Sequence, residues 1–230
     1  FKENWQREKF TGLAPELASF QPVQNNISYN HAGATRGLHA EPWDKLVSVA
    51  HGKIFGAWCD LREGSESFGE VVTHEVGPET AVFVPRGVAN GFQALEETSY
   101  CYLVNEHWSA EARYAAVNLD IVDWPQEPTE ISDKDKQHPG LKGVSPMPAR
   151  RILVTGANGQ LGRALKRLLA DAEFCTHADF DITNPPERNW KQYSAIINCA
   201  AYNDVNGAEN DRAAAWAVNA EAPARLARIA

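Results

Sequence analysis

The stretch Thr35-Arg36-Gly37-Leu38-His39 leads into Lys45-Leu46-Val47-Ser48-Val49 and, past His51-Gly52-Lys53, into Ile54-Phe55-Gly56-Ala57-Trp58-Cys59-Asp60-Leu61-Arg62. The first run after the histidine has a period-two pattern and the second is rich in aromatic and β-branched residues, so both read as strands. The glycine turn between them predicts a hairpin. Packed neighbours on such a wall can hold an imidazole in one orientation. Imidazole is also the side chain that takes a proton near neutral pH without prior tuning. What His39 does therefore depends on its companions.

Outward from this stretch, short β-like runs continue to about Asp123: Gly69 to Val76, Thr80 to Pro85, Gly91 to Leu95 and Thr98 to Val104, separated by Gly, Pro, Asn and Asp. Many short strands at this spacing predict an all-β sandwich, barrel or jelly roll. Asn4 to Phe10 is the one helical stretch expected in it. From Trp124 the composition shifts to Pro, Glu, Asp, Ser and Lys, and residues 139–149 read as an interdomain linker. Arg151-Ile152-Leu153-Val154 then reads as a buried parallel strand running into Thr155-Gly156-Ala157-Asn158-Gly159-Gln160-Leu161-Gly162. Leu161, Ala164, Leu165, Leu168 and Leu169 give the helix that follows a phosphate-binding glycine turn. A second βα pair is expected in Ser194 to Ala201 and Arg212 to Ala220.

With 230 residues and a formal charge of −8, the chain is long enough for two domains and too acidic for nucleic acid or an anionic membrane to be its main partner. No apolar run is long enough to span a bilayer and the start lacks signal-peptide architecture, which points to a cytoplasmic protein. Cys59, Cys101, Cys175 and Cys199 each stand alone in apolar or strand-like runs and read as reduced, buried thiols. The chain starts without Met and stops within an Ala-rich helical pattern, so both ends read as cut from something longer.

Three chemistries compete for His39. His39-x-Glu41 could supply two metal ligands from one strand face, but Asn90 stands where a second histidine would follow the Pro85-Arg86-Gly87 turn. His39 could instead be a satisfied interior residue. The third is metal-free acid–base chemistry, and here a resemblance becomes specific. Arg36-Gly37-Leu38-His39, Lys45-Leu46-Val47, Cys59 to Ser65 with Phe68-Gly69, Val84-Pro85-Arg86-Gly87 with Asn90-Gly91-Phe92, Tyr102 and Ile131 to Asp135 occur in the order of the dTDP-4-dehydrorhamnose 3,5-epimerase family. The resemblance runs from about Phe1 to Pro139, and it implies that residues 1–138 form a cupin-like jelly roll that needs no metal and no cofactor.

The resemblance implies that His39 is the general base, Asp135 its carboxylate partner and Tyr102 the acid on the opposite face of the sugar. It further implies that Arg36, Lys45, Arg62 and Asn90 contact a dTDP-sugar, and that the protein pairs as a homodimer through the β-domain. Protons beside a C4 ketone are weakly acidic, so their removal needs a base and a stabilised enolate oxygen, and inversion needs a proton from the other face. This chain departs from the family at Gly56 (usually Asp), Asn90 (usually His), Leu103 (usually Lys) and Trp108 (often Tyr). The other reading open here is a nucleotide-sugar-binding or scaffolding domain with impaired catalysis. His31, His51, His74, His107, His138 and His177 read as surface residues.

The back half resembles dTDP-4-dehydrorhamnose reductase through Gly156, Gly159 and Gly162, Asp179 to Thr183, Ile197 to Tyr202 and Val218 to Pro223. The resemblance implies an incomplete α/β Rossmann-type domain of the extended short-chain dehydrogenase kind over residues 150–230. Gly156, Asn158, Gly159, Gln160, Leu161 and Gly162 would meet the cofactor phosphates. Asp181 and Ile182 would flank the adenine, and Ala200 and Ala201 would pass under the ribose. Ketone reduction also needs a Tyr-x-x-x-Lys pair, and no such spacing occurs here, so an NAD(P)H site is expected without reductase activity. A fused epimerase–reductase cut short is the resulting expectation.

Overall fold

The alternation in the front strands resolves into two stacked antiparallel sheets. In the computed structural model, which describes residues 2–18, 20–110, 112–170 and 172–229, the chain divides into two units, Phe1–Pro148 and Ala149–Ala230. The first unit contains β1 (Gln24–Asn30), β2 (Thr35–Ala40), β3 (Lys45–His51), β4 (Ile54–Asp60), β5 (Val71–Val76), β6 (Ala81–Val84), β7 (Val88–Ala94), β8 (Thr98–Val104) and β9 (Ala115–Ala116). One sheet has the order β1-β8-β3-β6 and the other β5-β4-β7-β2-β9.

Val47, Val49, Ile54, Val76, Val84 and Phe92 form a core cluster drawn from both sheets. A second cluster joins Leu38, Ala40, Ala57, Cys59 and Ala89 to Val117, Leu119, Val122 and Met147. Strand β4 thus contributes alternate residues to two cores, Ile54 to one and Ala57 and Cys59 to the other. This double burial is why its sequence is almost continuously apolar.

Three expectations change. The hairpin is absent: β3 pairs with β6 and β8, whereas β4 pairs with β5 and β7. Gly52, at φ +80, turns the chain from one sheet to the other, and a Cβ there would lie 2.3 Å from the Glu97 carbonyl oxygen. Residues 139–148 do not form a free linker. Met147 is 1% exposed, its N–H donates to Leu61 O at 2.7 Å, and its carbonyl accepts from Glu63 N at 2.8 Å. Apolar burial therefore overrode a linker-like composition. Asn4 to Phe10 gives only the helical turn Arg7–Phe10. Strand β1, Gln-Asn-Asn-Ile-Ser-Tyr-Asn, is too polar to read as a strand from sequence, yet it pairs along its whole length with β8.

In the second unit β10 (Arg151–Thr155) pairs in parallel with both β11 (Glu173–Cys175) and β12 (Tyr193–Asn198). Leu153, Cys175, Phe180, Ile182, Tyr193, Ala222 and Leu226 form its core. The helix after the glycine turn is shorter than expected, Gln160–Leu165, and Leu161 and Leu168 are exposed. Arg212 to Ala220 lies within consecutive helical segments that run from Arg212 to Ile229.

Candidate active site

Arg36 and His39 lie three residues apart on β2, and strict alternation would put them on opposite faces. A register shift prevents this: Arg36 pairs with Phe92 and His39 with Asn90, so three steps along β2 match two along β7. Gly37 sits at the shift with φ +120, and a Cβ there would lie 2.5 Å from Gly91 Cα. Only glycine suits that backbone and that approach. Both side chains consequently line one cavity.

The partner of His39 arrives from far along the chain. Ser132 caps the helix Asp133–Lys136, its hydroxyl accepting from Asp135 N at 3.1 Å, and Asp135 is 2% exposed. His39 Nε2 donates to Asp135 Oδ1 at 2.7 Å, and Gly37 N–H donates to Oδ2 at 3.2 Å. Burial pushes the Asp135 carboxyl up, but the His39, Gly37 and Ser132 hydrogen bonds outweigh it and hold the group below its ordinary value. With Asp135 ionised and accepting from Nε2, the ring nitrogen left with a lone pair is Nδ1.

Tyr102 stands on β8, in the opposite sheet. Burial, reinforced by the Glu41 carboxylate, raises its phenol above the ordinary value and keeps it protonated. Lys45 Nζ lies 5.0 Å from the Tyr102 ring centre and is ion-paired with Glu41. Asn90 Nδ2 donates to His39 O at 2.8 Å and to Glu41 Oε2 at 3.2 Å. Cavities of about 200 and 340 Å³ meet at His39, Glu41, Lys45 and Tyr102. Trp43, Trp108 and Tyr114 line the smaller; Arg36 and Asn90 line the larger.

His39, Asp135, Tyr102, Lys45, Asn90 and Arg36 are thus gathered around one space. Arg36 also pairs with Glu130 at 2.5 Å. Arg62 lines neither cavity: its Nε and Nη2 donate to Asp60 at 2.9 and 2.6 Å, because the carboxylate two residues earlier captures it. Asp60 is correspondingly held low, burial opposing and the Arg62, Ser65 and Ser67 hydrogen bonds prevailing.

Two residues were missed. The sequence pattern offers Glu41 only as a metal ligand, whereas in the structure its carboxylate is held by Lys45 and Asn90. His138, expected at the surface, has a side chain 8% exposed, and its ring lies 5.1 Å from that of His39. Burial, then the neighbouring His39, lowers its pKa. Both signals were present: Glu41 follows His39 by two on an extended segment, and His138 follows Asp135 by three at the end of a helical turn.

The departures from the family pattern also have locations. Leu103 packs on Leu17, Phe20 and Leu46, outside both cavities. A Cβ on Gly56 would meet the Trp58 ring at 2.4 Å, so the indole fills the space that a side chain at 56 would need.

In the second unit, Gly156, Asn158, Gly159, Asp181, Ile182, Ala200 and Ala201 line a cavity of about 330 Å³ beside the ends of β10 and β12. A Cβ on Gly156, at φ +67, would lie 2.5 Å from Ala200 N. Gln160 and Leu161 are exposed outside this lining, and Gly162 is buried against the Gly156-Ala157 backbone, where a Cβ would lie 2.5 Å from Gly156 O. Its role is close helix–turn packing.

Comparison with known proteins agrees with this division. Residues 1–143 match the family model for dTDP-4-dehydrorhamnose 3,5-epimerase, and residues 150–230 match that for the RmlD substrate binding domain. Protein RmlC homolog of Streptococcus pyogenes is 48% identical over 158 residues, covering 64% of this chain and 80% of that protein. The structure of RmlC from Streptococcus suis in complex with dTDP-D-xylose superposes with a TM-score of 0.59 at 45% identity, covering 64% of this chain and 81% of that one. The dTDP-4-dehydrorhamnose reductase of Mycobacterium tuberculosis is 45% identical over 86 residues, 35% of this chain and only 28% of that protein. With its jelly-roll sheets, its gathered His39, Asp135 and Tyr102, and a family match over residues 1–143, the chain belongs to the dTDP-4-dehydrorhamnose 3,5-epimerase family.

Proposed function

We propose that the first unit epimerises C3 and C5 of dTDP-4-keto-6-deoxyglucose in the cytoplasm, on the route to dTDP-L-rhamnose. The observation that carries this reading is the 2.7 Å hydrogen bond from His39 to buried Asp135, facing a cavity that Tyr102 lines from the other sheet. His39 Nδ1 removes the proton beside the ketone, and Asp135 supports the imidazolium that forms. Lys45 and Arg36 offer positive charge to the enolate oxygen and the diphosphate. Tyr102, held protonated, returns a proton from the opposite face and so inverts the carbon. Trp43, Trp108 and Tyr114 offer aromatic surface to the base. Exposed Val23, Ile27 and Tyr29, on and beside edge strand β1, suit pairing of two copies through the β-domain.

Residues 150–230 are, in this proposal, the opening of a Rossmann-type domain that binds NAD(P)H for a 4-keto reductase. The glycine turn fits a dinucleotide: Gly156 and Gly159 leave the backbone open at the cavity where larger side chains would intrude, and Asp181 stands at its rim. Bound there, the nicotinamide would supply hydride. This chain's residues hold its phosphates and ribose.

The test is incubation with dTDP-4-keto-6-deoxyglucose in D2O without nicotinamide, following deuterium at C3 and C5 by NMR. Entry at both carbons, lost in His39→Ala, is the expected result. Tight binding of the nucleotide sugar with no exchange would overturn catalysis and leave a nucleotide-sugar-binding scaffold.

A further inference from the structure

We propose that His39, Asp135 and His138 form a site for a divalent transition-metal ion of the zinc type, and that its occupancy switches the acid–base dyad off. One ligand atom from each of these residues lies within 4.8 Å of the others. His39 Nε2 is 2.7 Å from Asp135 Oδ1, and His138 Nε2 is 4.0 Å from that oxygen, beyond hydrogen-bond reach. The His138 side chain is 8% exposed and its Nδ1 has no hydrogen-bond partner among the described residues. A buried imidazole, in contact with the Gly37 backbone but with its Nδ1 unpartnered, therefore stands beside a carboxylate and a second imidazole.

Two imidazole nitrogens and one carboxylate oxygen are a donor set that zinc and cobalt accept at about 2.0–2.2 Å, with a further position open for water. His39 and His138 both line the smaller cavity, which gives the ion a way in. This set differs from His39-x-Glu41, because Lys45 and Asn90 already hold Glu41.

The consequence for turnover rests on the epimerase reading, whereas the binding does not. In the free dyad the His39 ring proton is on Nε2, shared with Asp135, and Nδ1 carries the lone pair. A metal on Nε2 sends that proton to Nδ1. The ring stays neutral, no proton is released, and the lone pair that would accept the substrate proton is gone.

The full chain is titrated with Co2+ at neutral pH, following visible d–d absorption, and with Zn2+ by calorimetry. The expected result is one saturable ion per chain, weakened at least about tenfold in both His138→Ala and His138→Gln, and unchanged in His31→Ala at the surface. Circular dichroism verifies that each variant is folded. Absence of saturable binding, or equal affinity in the His138 variants, overturns the site. Deuterium exchange measured with EDTA tests the epimerase reading separately. Exchange that starts in EDTA and stops with saturating Zn2+ supports the switch, and exchange indifferent to bound Zn2+ overturns it.

Discussion

The two cavities are built by opposite means. The first unit's is walled by side chains that hold one another: His39 on Asp135, Glu41 on Lys45 and Asn90, with Tyr102 facing them from the second sheet. Backbone and small residues at strand ends shape the second unit's, where Gly156 packs on Ala200 and Gly162 on Gly156. The first arrangement suits proton transfer, which needs particular atoms at particular protonation states. The second suits binding a long anionic ligand, which needs N–H groups and room.

If this contrast holds, substitutions should separate cleanly. The largest effect is expected from His39→Ala, which removes the proposed base: deuterium entry at C3 and C5 should fall about 10³–10⁴-fold, with nucleotide-sugar affinity nearly intact by calorimetry. Asp135→Asn should follow at about 10²–10³-fold, since a neutral amide can impose the wrong imidazole tautomer and cannot support the imidazolium. Tyr102→Phe is expected to split the reaction: His39 still exchanges the proton, but it returns to the same face, so NMR should show deuterium with retained configuration. Inversion in that variant would remove Tyr102 from the acid role.

Gly156→Val probes the other cavity. Its β-branched side chain would meet the Ala200 and Cys199 backbone at a positive φ, so NADPH binding followed by fluorescence should weaken about tenfold or more while epimerase exchange stays unchanged. Loss of exchange in that variant would break the separation of the two sites. The smallest effect is expected from Glu41→Gln. The Glu41 carboxylate disfavours the Tyr102 phenolate, so removing its charge lowers the phenol's pKa and shifts the alkaline limb of the inversion rate, followed by NMR of the epimerised sugar, to lower pH. A limb that stays put would mean that the shift is due to burial alone.

Legibility followed the same divide. The glycine turn and the β10 strand were readable because strand, turn and helix are contiguous, and seven of the cofactor positions expected there line one cavity: Gly156, Asn158, Gly159, Asp181, Ile182, Ala200 and Ala201. The motif does not reveal that Arg62 is captured by Asp60, which is itself fixed by Ser65 and Ser67. The linker-like composition hides Met147, which looks like any residue between prolines until Leu61 and the Val117-Leu119 segment close over it.

The residues themselves determined that the chain is an all-β front followed by a parallel βα start, and the family resemblance carried by the order of the motifs singled out His39, Tyr102 and Asp135. Those follow from periodicity, turn chemistry and the order of motifs, all of which are properties of neighbours along the chain. Only the tertiary structure decided that β3 and β4 part into different sheets, that the shift at Gly37 turns Arg36 and His39 to the same side, and that Glu41 and His138 join them. The reason is that these depend on strand register and on which distant segment covers which face. A change of one residue in register carries a side chain from cavity to core.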